Sequence, residues 1–242
     1  MDSKAVLITG GARRLGRELA LHLGRRSWAV GIHYHASTSA AEDLQRELAA
    51  LGAQCELFCA DLRDTASLDP LASKFIARFP FGCLLINNAA VFKRDDAARS
   101  VPLNWEEHFE TNARAPIFLA QAFAKYCKAS SCVINILDQL VASATIPPDL
   151  FSYSLSKLTL ANATKPLAQA LAPKVRVNAI APGLLLPTAS QTEEKFETDR
   201  KETLLQREVT LNEICATVDF IFDTQAMTGQ IITIDGGVHL CA

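Results

Sequence analysis

The amino-acid sequence predicts an α/β fold, on three observations. Short apolar runs such as Ala5-Val6-Leu7-Ile8 alternate with longer stretches of helical periodicity. The first of these runs passes directly into a glycine-rich turn, Thr9-Gly10-Gly11-Ala12-Arg13-Arg14-Leu15-Gly16, and then into an amphipathic segment from Arg17 to Gly24. Hydrophobic residues make up 49% and charged residues 21% of 242 residues, which is enough apolar material for one sizeable core.

The glycine turn is the first element with chemistry. Gly10 and Gly16 allow a tight turn and a close backbone approach. The N-terminus of the helix that follows offers free N–H groups and a positive dipole end to a pyrophosphate. An ordinary glycine-rich βα turn is the competing reading, because the spacing is G-x-x-x-x-x-G. The second strand is Trp28 to Tyr34, and its C-terminal end selects the cofactor. An acid there binds a ribose hydroxyl and repels a 2′-phosphate. This chain has His33, Tyr34, His35, Ser37 and Thr38 instead, with Arg13 and Arg14 nearby, and these groups suit a phosphate dianion. NADP is therefore expected over NAD.

Ser39 to Leu51 reads as a helix closed by Gly52, and Gln54 to Ala60 as the third strand. Asp61-Leu62 follows; the Asp either receives the adenine amino group or caps the helix beginning near Asp64. Cys55 and Cys59 read as packing residues. Leu68 to Phe79 is a helix and Phe81 to Ile86 the fourth strand. Asn87-Asn88-Ala89-Ala90 closes it, with carboxamides able to tie strands and cofactor together or to form an Asn-rich turn. Cys132 to Leu137 is the fifth strand. Phe151 to Leu171 is a long helix with Pro166 in its interior, and Val175 to Ile180 is the sixth strand. The polar segment Thr188 to Gln206 reads as a mobile lid over the substrate, and Thr228 to Gly237 as the seventh strand with its closing turn.

A formal charge of −2 carries no sign of nucleic-acid or anionic-membrane binding. Seven scattered cysteines without C-x-x-C, no signal peptide and no apolar run of membrane-spanning length predict a cytoplasmic protein with no metal site.

Tyr153-Ser154-Leu155-Ser156-Lys157 is the candidate catalytic stretch. On a helix, Tyr153 and Lys157 share one face. An ammonium beside a phenol favours the phenolate and lowers its pKa, which makes a proton donor or acceptor for a substrate oxygen. Alone, the pair is also common by chance on surface helices.

TGGARRLG, the Asp61-Leu62 pair, NNAA, YSLSK and Arg176-Val177-Asn178-Ala179-Ile180-Ala181-Pro182-Gly183 occur together in the order of the short-chain dehydrogenase/reductase family, and the chain resembles that family from Val6 to Gly237. The resemblance implies a Rossmann-like, doubly wound, seven-stranded parallel sheet with helices on both faces, in one domain over 1–242. It implies a nicotinamide cofactor, hydride transfer centred on Tyr153 and Lys157, and a homotetramer. It also implies that Asn112 bends its helix and holds a water relaying protons to Lys157. By the same resemblance Leu15, Asn88, Ala89 and Ala90 border the cofactor, Pro182-Gly183 turns beneath the nicotinamide near Leu185, and Thr188 is nearest its amide.

The family usually has a serine at the end of strand five; here Asp138 stands there. An ionised Asp only accepts hydrogen bonds, so it favours a protonated tyrosine and a substrate that needs a proton on nitrogen. This resembles the pteridine reductase branch, as do Arg14 in the turn and Phe92 as an aromatic stacking residue. Arg14 serving only the phosphates, Phe92 packing a loop and Asp138 capping a turn remain open alternatives. The segments after Asp138 and Gly183 do not resemble that branch.

The expected activity is NADPH-linked reduction of a flat heterocycle such as a dihydropterin, with Arg14, Phe92, Asp138 and Tyr153 around the substrate. A ketone or aldehyde reductase, a silent NADP-binding regulator and a scaffold with a vestigial site are the alternatives.

Overall fold

A computed structural model describes residues 4–143, 145–187 and 192–241. Among these, seven parallel strands form one sheet in the order β3-β2-β1-β4-β5-β6-β7. They are β1 (Ala5–Ile8), β2 (Ala29–Tyr34), β3 (Cys55–Cys59), β4 (Gly82–Asn87), β5 (Ser131–Ile136), β6 (Val175–Pro182) and β7 (Ile231–Ile234). The helices are α1 (Arg14–Arg25), α2 (Thr38–Ala50), α3 (Leu68–Arg78), α4 (Pro102–Phe109), α5 (Ala115–Tyr126), α6 (Phe151–Leu171), α7 (Glu193–Glu202) and α8 (Leu211–Asp223). No helix among the described residues is long and apolar enough to cross a membrane.

Strand pleating splits each apolar run between two cores. Val6 and Ile8 join Leu19 and Leu23 of α1, Leu44 and Leu48 of α2, and Val218 and Ile221 of α8. Ala5 and Leu7 face the other way, onto Phe75 of α3, Phe123 of α5 and Leu167 of α6. Burial on both faces explains why these strands read as unbroken apolar runs. The chain runs β1, β2, β3 outward on one side, then returns to place β4 against β1, with Ile8 paired to Ile86. Their carboxyl ends form the crevice where ligands bind in such sheets.

Three elements differ from expectation. α1 begins at Arg14, three residues before the apolar periodicity starts, because Arg17 N–H already bonds to Arg13 C=O. The segment expected as a lid contains α7, whose first turn is capped by the Thr192 hydroxyl. Cys59 lies exposed on the edge strand β3 and is not a core residue, whereas Cys55 packs against the core. α6 runs without interruption through Pro166.

Candidate active site

Two adjoining cavities open at the crevice. The larger, of about 800 Å³, is lined by Gly10, Arg13, Arg14, Leu15, His33, His35, Asp61, Leu62, Asn88, Ala89 and Ala90, together with Arg63, Lys93, Glu107 and Thr111. The smaller, of about 350 Å³, is bounded by Asp138, Tyr153, Gly183 and Leu185, with Gln139 and Leu140 beside them. Arg14, Leu15 and Phe92 border both. The four residues expected around the substrate thus meet at one cavity.

The glycine turn is built for close approach. Gly10 has φ +60°, in the region that favours glycine, and a side chain there would come within 3.0 Å of the Ala89 backbone. At Gly16 an added carbon would lie 2.5 Å from the Gly10 carbonyl oxygen. The turn therefore presents bare backbone at the N-terminus of α1, and the first turn of that helix holds no acid to compete with an anion. The residues present fit the pyrophosphate of a dinucleotide. Asn88 braces the turn by donating to Thr9 C=O at 3.0 Å and Gly10 C=O at 3.2 Å. Asn87 donates to Asn135 at 2.9 Å, which ties β4 to β5.

Several expected cofactor residues have other work. His33 is buried; its Nδ1 accepts from Gly10 N–H at 3.2 Å, so its Nε2–H donates to Ala60 C=O at 3.1 Å. Desolvation lowers its pKa from 6.5 to about 4. His33 is thus a neutral brace for the glycine turn and not a cation for a phosphate. Strand alternation sends Tyr34 the opposite way, against the core around α1 and α2. Ser37 precedes α2 and lines neither cavity, nor does Pro182. His35 and Arg13 remain exposed at the larger cavity. Asp61 does not cap the short turn that leads into α3; Asp64 does that, accepting from Ala66 N–H. The Asp61 carboxylate instead pairs with Arg63, whose hydrogen bond holds it below the usual carboxylate range. Thr188 lies outside the described residues.

Arg14 occupies a left-handed conformation, φ +52°, which is unusual for a side-chain-bearing residue. Its guanidinium crosses to the Leu186 and Pro187 carbonyls at 3.3 and 3.0 Å, bridging the glycine turn to the loop after β6.

The tyrosine side is more sharply defined. The Tyr153 hydroxyl donates to the Asp138 carboxylate at 2.8 Å. The other carboxylate oxygen accepts from Leu140 N–H at 3.0 Å, so Asp138 both caps the turn after β5 and holds the tyrosine. Lys157 is buried below, donating to Ile136 C=O at 2.9 Å. Burial lowers its pKa to about 8, partly opposed by the Asp138 charge. Burial and then Asp138 raise the Tyr153 pKa well above the ordinary phenol value. Asp138 thus favours a protonated tyrosine, as its acceptor-only chemistry predicts, and the fall expected from Lys157 alone does not occur. Phe92 meets the Tyr153 ring edge-on, with centroids 4.8 Å apart. Asn112 lies in a wide helical turn at Glu110–Arg114, where its carboxamide accepts from Val91 N–H and donates to Val91 C=O and Ser156. A local departure from the α-helix is what its expected role requires.

A family model described as enoyl-(acyl carrier protein) reductase matches residues 10–239. The chain is 26% identical to the 3-oxoacyl-(acyl-carrier-protein) reductase FabG of Staphylococcus aureus, covering 98% of this chain and 99% of that protein. It is 28% identical to the probable galactose dehydrogenase GalD of Rhizobium meliloti, over 98% and 96% of the two chains. The solved structure of FolM alternative dihydrofolate reductase 1 from Brucella suis in complex with NADP matches with a TM-score of 0.93 at 37% identity, over 98% of this chain and 96% of that one. With the match extending from the glycine turn through β7, the chain belongs to the short-chain dehydrogenase/reductase family of nicotinamide-dinucleotide oxidoreductases.

Proposed function

We propose that the protein is an NADPH-dependent reductase that adds hydride and a proton to a C=N bond of a pterin-like heterocycle, taking a dihydropterin to a tetrahydropterin. The observation that carries this reading is the Tyr153 hydroxyl held at 2.8 Å on the Asp138 carboxylate, in a cavity bordered by Arg14 and Phe92. The 37% identity to FolM alternative dihydrofolate reductase 1 supports it.

The Gly10–Gly16 turn would hold the pyrophosphate of NADPH, and Arg13 and His35 would face its 2′-phosphate; the bound cofactor would supply the hydride. The chain's own residues handle the proton. Asp138 fixes the hydroxyl rotor of Tyr153 and keeps the phenol protonated. A weak acid is sufficient, because hydride addition to the carbon of C=N leaves a strongly basic nitrogen. Tyr153 gives that nitrogen its proton, so C=N plus hydride plus proton becomes CH–NH. Lys157 offsets the charge accumulated on Tyr153 and Asp138. Phe92 offers an apolar face to a flat ring, and Arg14 a donor to its polar edge. Exposed apolar side chains Leu103, Trp105 and Phe118 on α4 and α5 support the expected homo-oligomer.

A carbonyl substrate is the competing reading, supported by the FabG and GalD relatives. NADPH oxidation with dihydrobiopterin, dihydromonapterin, dihydrofolate, quinones and simple carbonyls separates the two. Turnover of a dihydropterin is expected; brisk carbonyl turnover with none for any pterin overturns the proposal. Asp138→Ser is expected to lower pterin turnover by ~100-fold while opening carbonyl turnover, as a hydroxyl can donate where a carboxylate cannot.

A further inference from the structure

Asp95, Ser152 and His108 form a buried chain beside the tyrosine that sequence reading did not single out. The backbone N–H of Lys93 donates to His108 Nε2 at 3.0 Å. A neutral imidazole therefore carries its proton on Nδ1, 2.7 Å from Ser152 Oγ. With Nδ1–H donating to Oγ, the serine proton passes on to Asp95 Oδ2 at 2.6 Å. The donor direction is fixed along the whole chain: Lys93 N–H onto the ring, the ring onto the serine, the serine onto the carboxylate. His108 and Ser152 are fully buried, so each group depends on its partner.

The same carboxylate starts the helix that carries Tyr153. Leu150, the residue at the N-cap of α6, provides no side-chain acceptor. Asp95 provides one from another part of the chain, with Oδ1 accepting from Ser152 N–H at 3.0 Å, and its negative charge lies at the positive end of the helix dipole. Its backbone adds two further bonds, Asp95 N–H to Asp149 C=O and Phe151 N–H to Asp95 C=O, each 3.1 Å. Three residues before Asp95 is Phe92, edge-on to Tyr153. The imidazole of His108, which accepts from Lys93 N–H on the same loop, stands edge-on to the Tyr153 ring at 5.9 Å.

We propose that Asp95 is a positioning residue: through Ser152 and His108 it fixes the Phe92 loop and the first turn of α6 to each other, and so sets the substrate-facing wall against the Tyr153 hydroxyl. The inference rests on Tyr153 as the proton donor, and not on which heterocycle is reduced.

Asp95→Asn is nearly isosteric and tests it directly. One orientation of the new amide puts NH₂ against Ser152 N–H. The other puts NH₂ on the serine oxygen, which turns the serine proton onto His108 Nδ1 and moves the imidazole proton to Nε2, facing Lys93 N–H. Either way two donors meet. With dihydrobiopterin, or with the best carbonyl of the panel if no pterin turns over, kcat is expected to fall ~10- to 100-fold. The KM for NADPH should stay within about 2-fold, because the glycine turn is untouched. Ser152→Ala should also lower kcat, and the double variant should be no worse than Asp95→Asn alone, since the serine then has no proton to redirect.

Unchanged kcat in Asp95→Asn overturns the proposal, as does an equal loss of NADPH affinity, which marks general disruption of the crevice. Tyr153→Phe keeps the two readings apart: full rate in that variant sinks the proton-donor assignment, whereas its inactivity beside a fully active Asp95→Asn sinks only the positioning role. If the wild-type chain turns over nothing in the panel, amide hydrogen exchange decides on the free protein. The Lys93 and Ser152 amides should exchange faster in Asp95→Asn while amides in the second half of α6 do not change; unaltered Lys93 and Ser152 exchange overturns the proposal.

Discussion

His33 gives the most quantitative test of how the cofactor turn is held. Its pKa falls from 6.5 to about 4 because the ring is desolvated by burial, an effect only partly opposed by its hydrogen bond to Ala60 C=O. At about 1.36 kcal/mol per pH unit, the gap between those values corresponds to about 3 kcal/mol. The unfolded chain takes up a proton on this ring below pH 6.5, and the folded chain only below about 4. Stability from the neutral ring is therefore complete above pH 6.5 and is lost progressively as the pH falls to about 4. Protonation at Nδ1 would also set an N–H against Gly10 N–H and disturb the turn. His33→Gln keeps one acceptor and one donor but cannot titrate. Carboxylates contribute to acid unfolding in both proteins, so the informative quantity is the difference. Urea unfolding at pH 6.5 and pH 4.5 is expected to show wild type losing about 2 kcal/mol more than His33→Gln, and NADPH affinity should fall more steeply in wild type. Equal pH dependence in the two proteins refutes the neutral-brace assignment. Loss of NADP selectivity over NAD in His33→Gln at neutral pH would restore the phosphate-binding role instead.

Three further outcomes follow from the site. Gly16→Ala should weaken NADPH binding at least ~10-fold, about 1.4 kcal/mol, because the new carbon meets the Gly10 carbonyl oxygen at 2.5 Å; a fluorescence titration measures it. Arg14→Gly should be ~1 kcal/mol more stable than Arg14→Ala in urea unfolding, since φ +52° suits glycine and strains alanine, the reverse of the order in an ordinary helix. Above about pH 8, kcat/KM should decline as Lys157 loses its proton and no longer offsets Asp138, and Lys157→Met should lose both activity and that limb of the profile.

The residues of the site were legible in the sequence wherever short-range order sets them. The strand-turn-helix at Gly10–Gly16, the Tyr153–Lys157 spacing and the polar residue after β5 each lie within one element or at its end. Asp138 was readable as a change in chemistry because a carboxylate accepts and a hydroxyl also donates. The α/β alternation follows from the same local periodicities, and the two-sided burial of the strands matches their unbroken apolar runs.

Other roles depended on what stands across the fold. Nothing in His33-Tyr34-His35 says which ring meets Gly10 N–H, since that requires the pairing of β2 with the turn after β1 and the carbonyl of Ala60 behind it. The size of the upward shift at Tyr153 depended on its burial, which spacing does not give, and on packing that brings the Asp138 carboxylate to 2.8 Å from the hydroxyl. Asp95, His108 and Ser152 come from three segments, and none belongs to a motif. Sequence alone determined the fold class, the glycine turn and the candidate proton donor, because these rest on periodicity and on groups a few residues apart. Tertiary structure alone decided which polar groups are neutral, which are braces and which face the cavity, because burial and hydrogen-bond partners arise between segments distant in the chain.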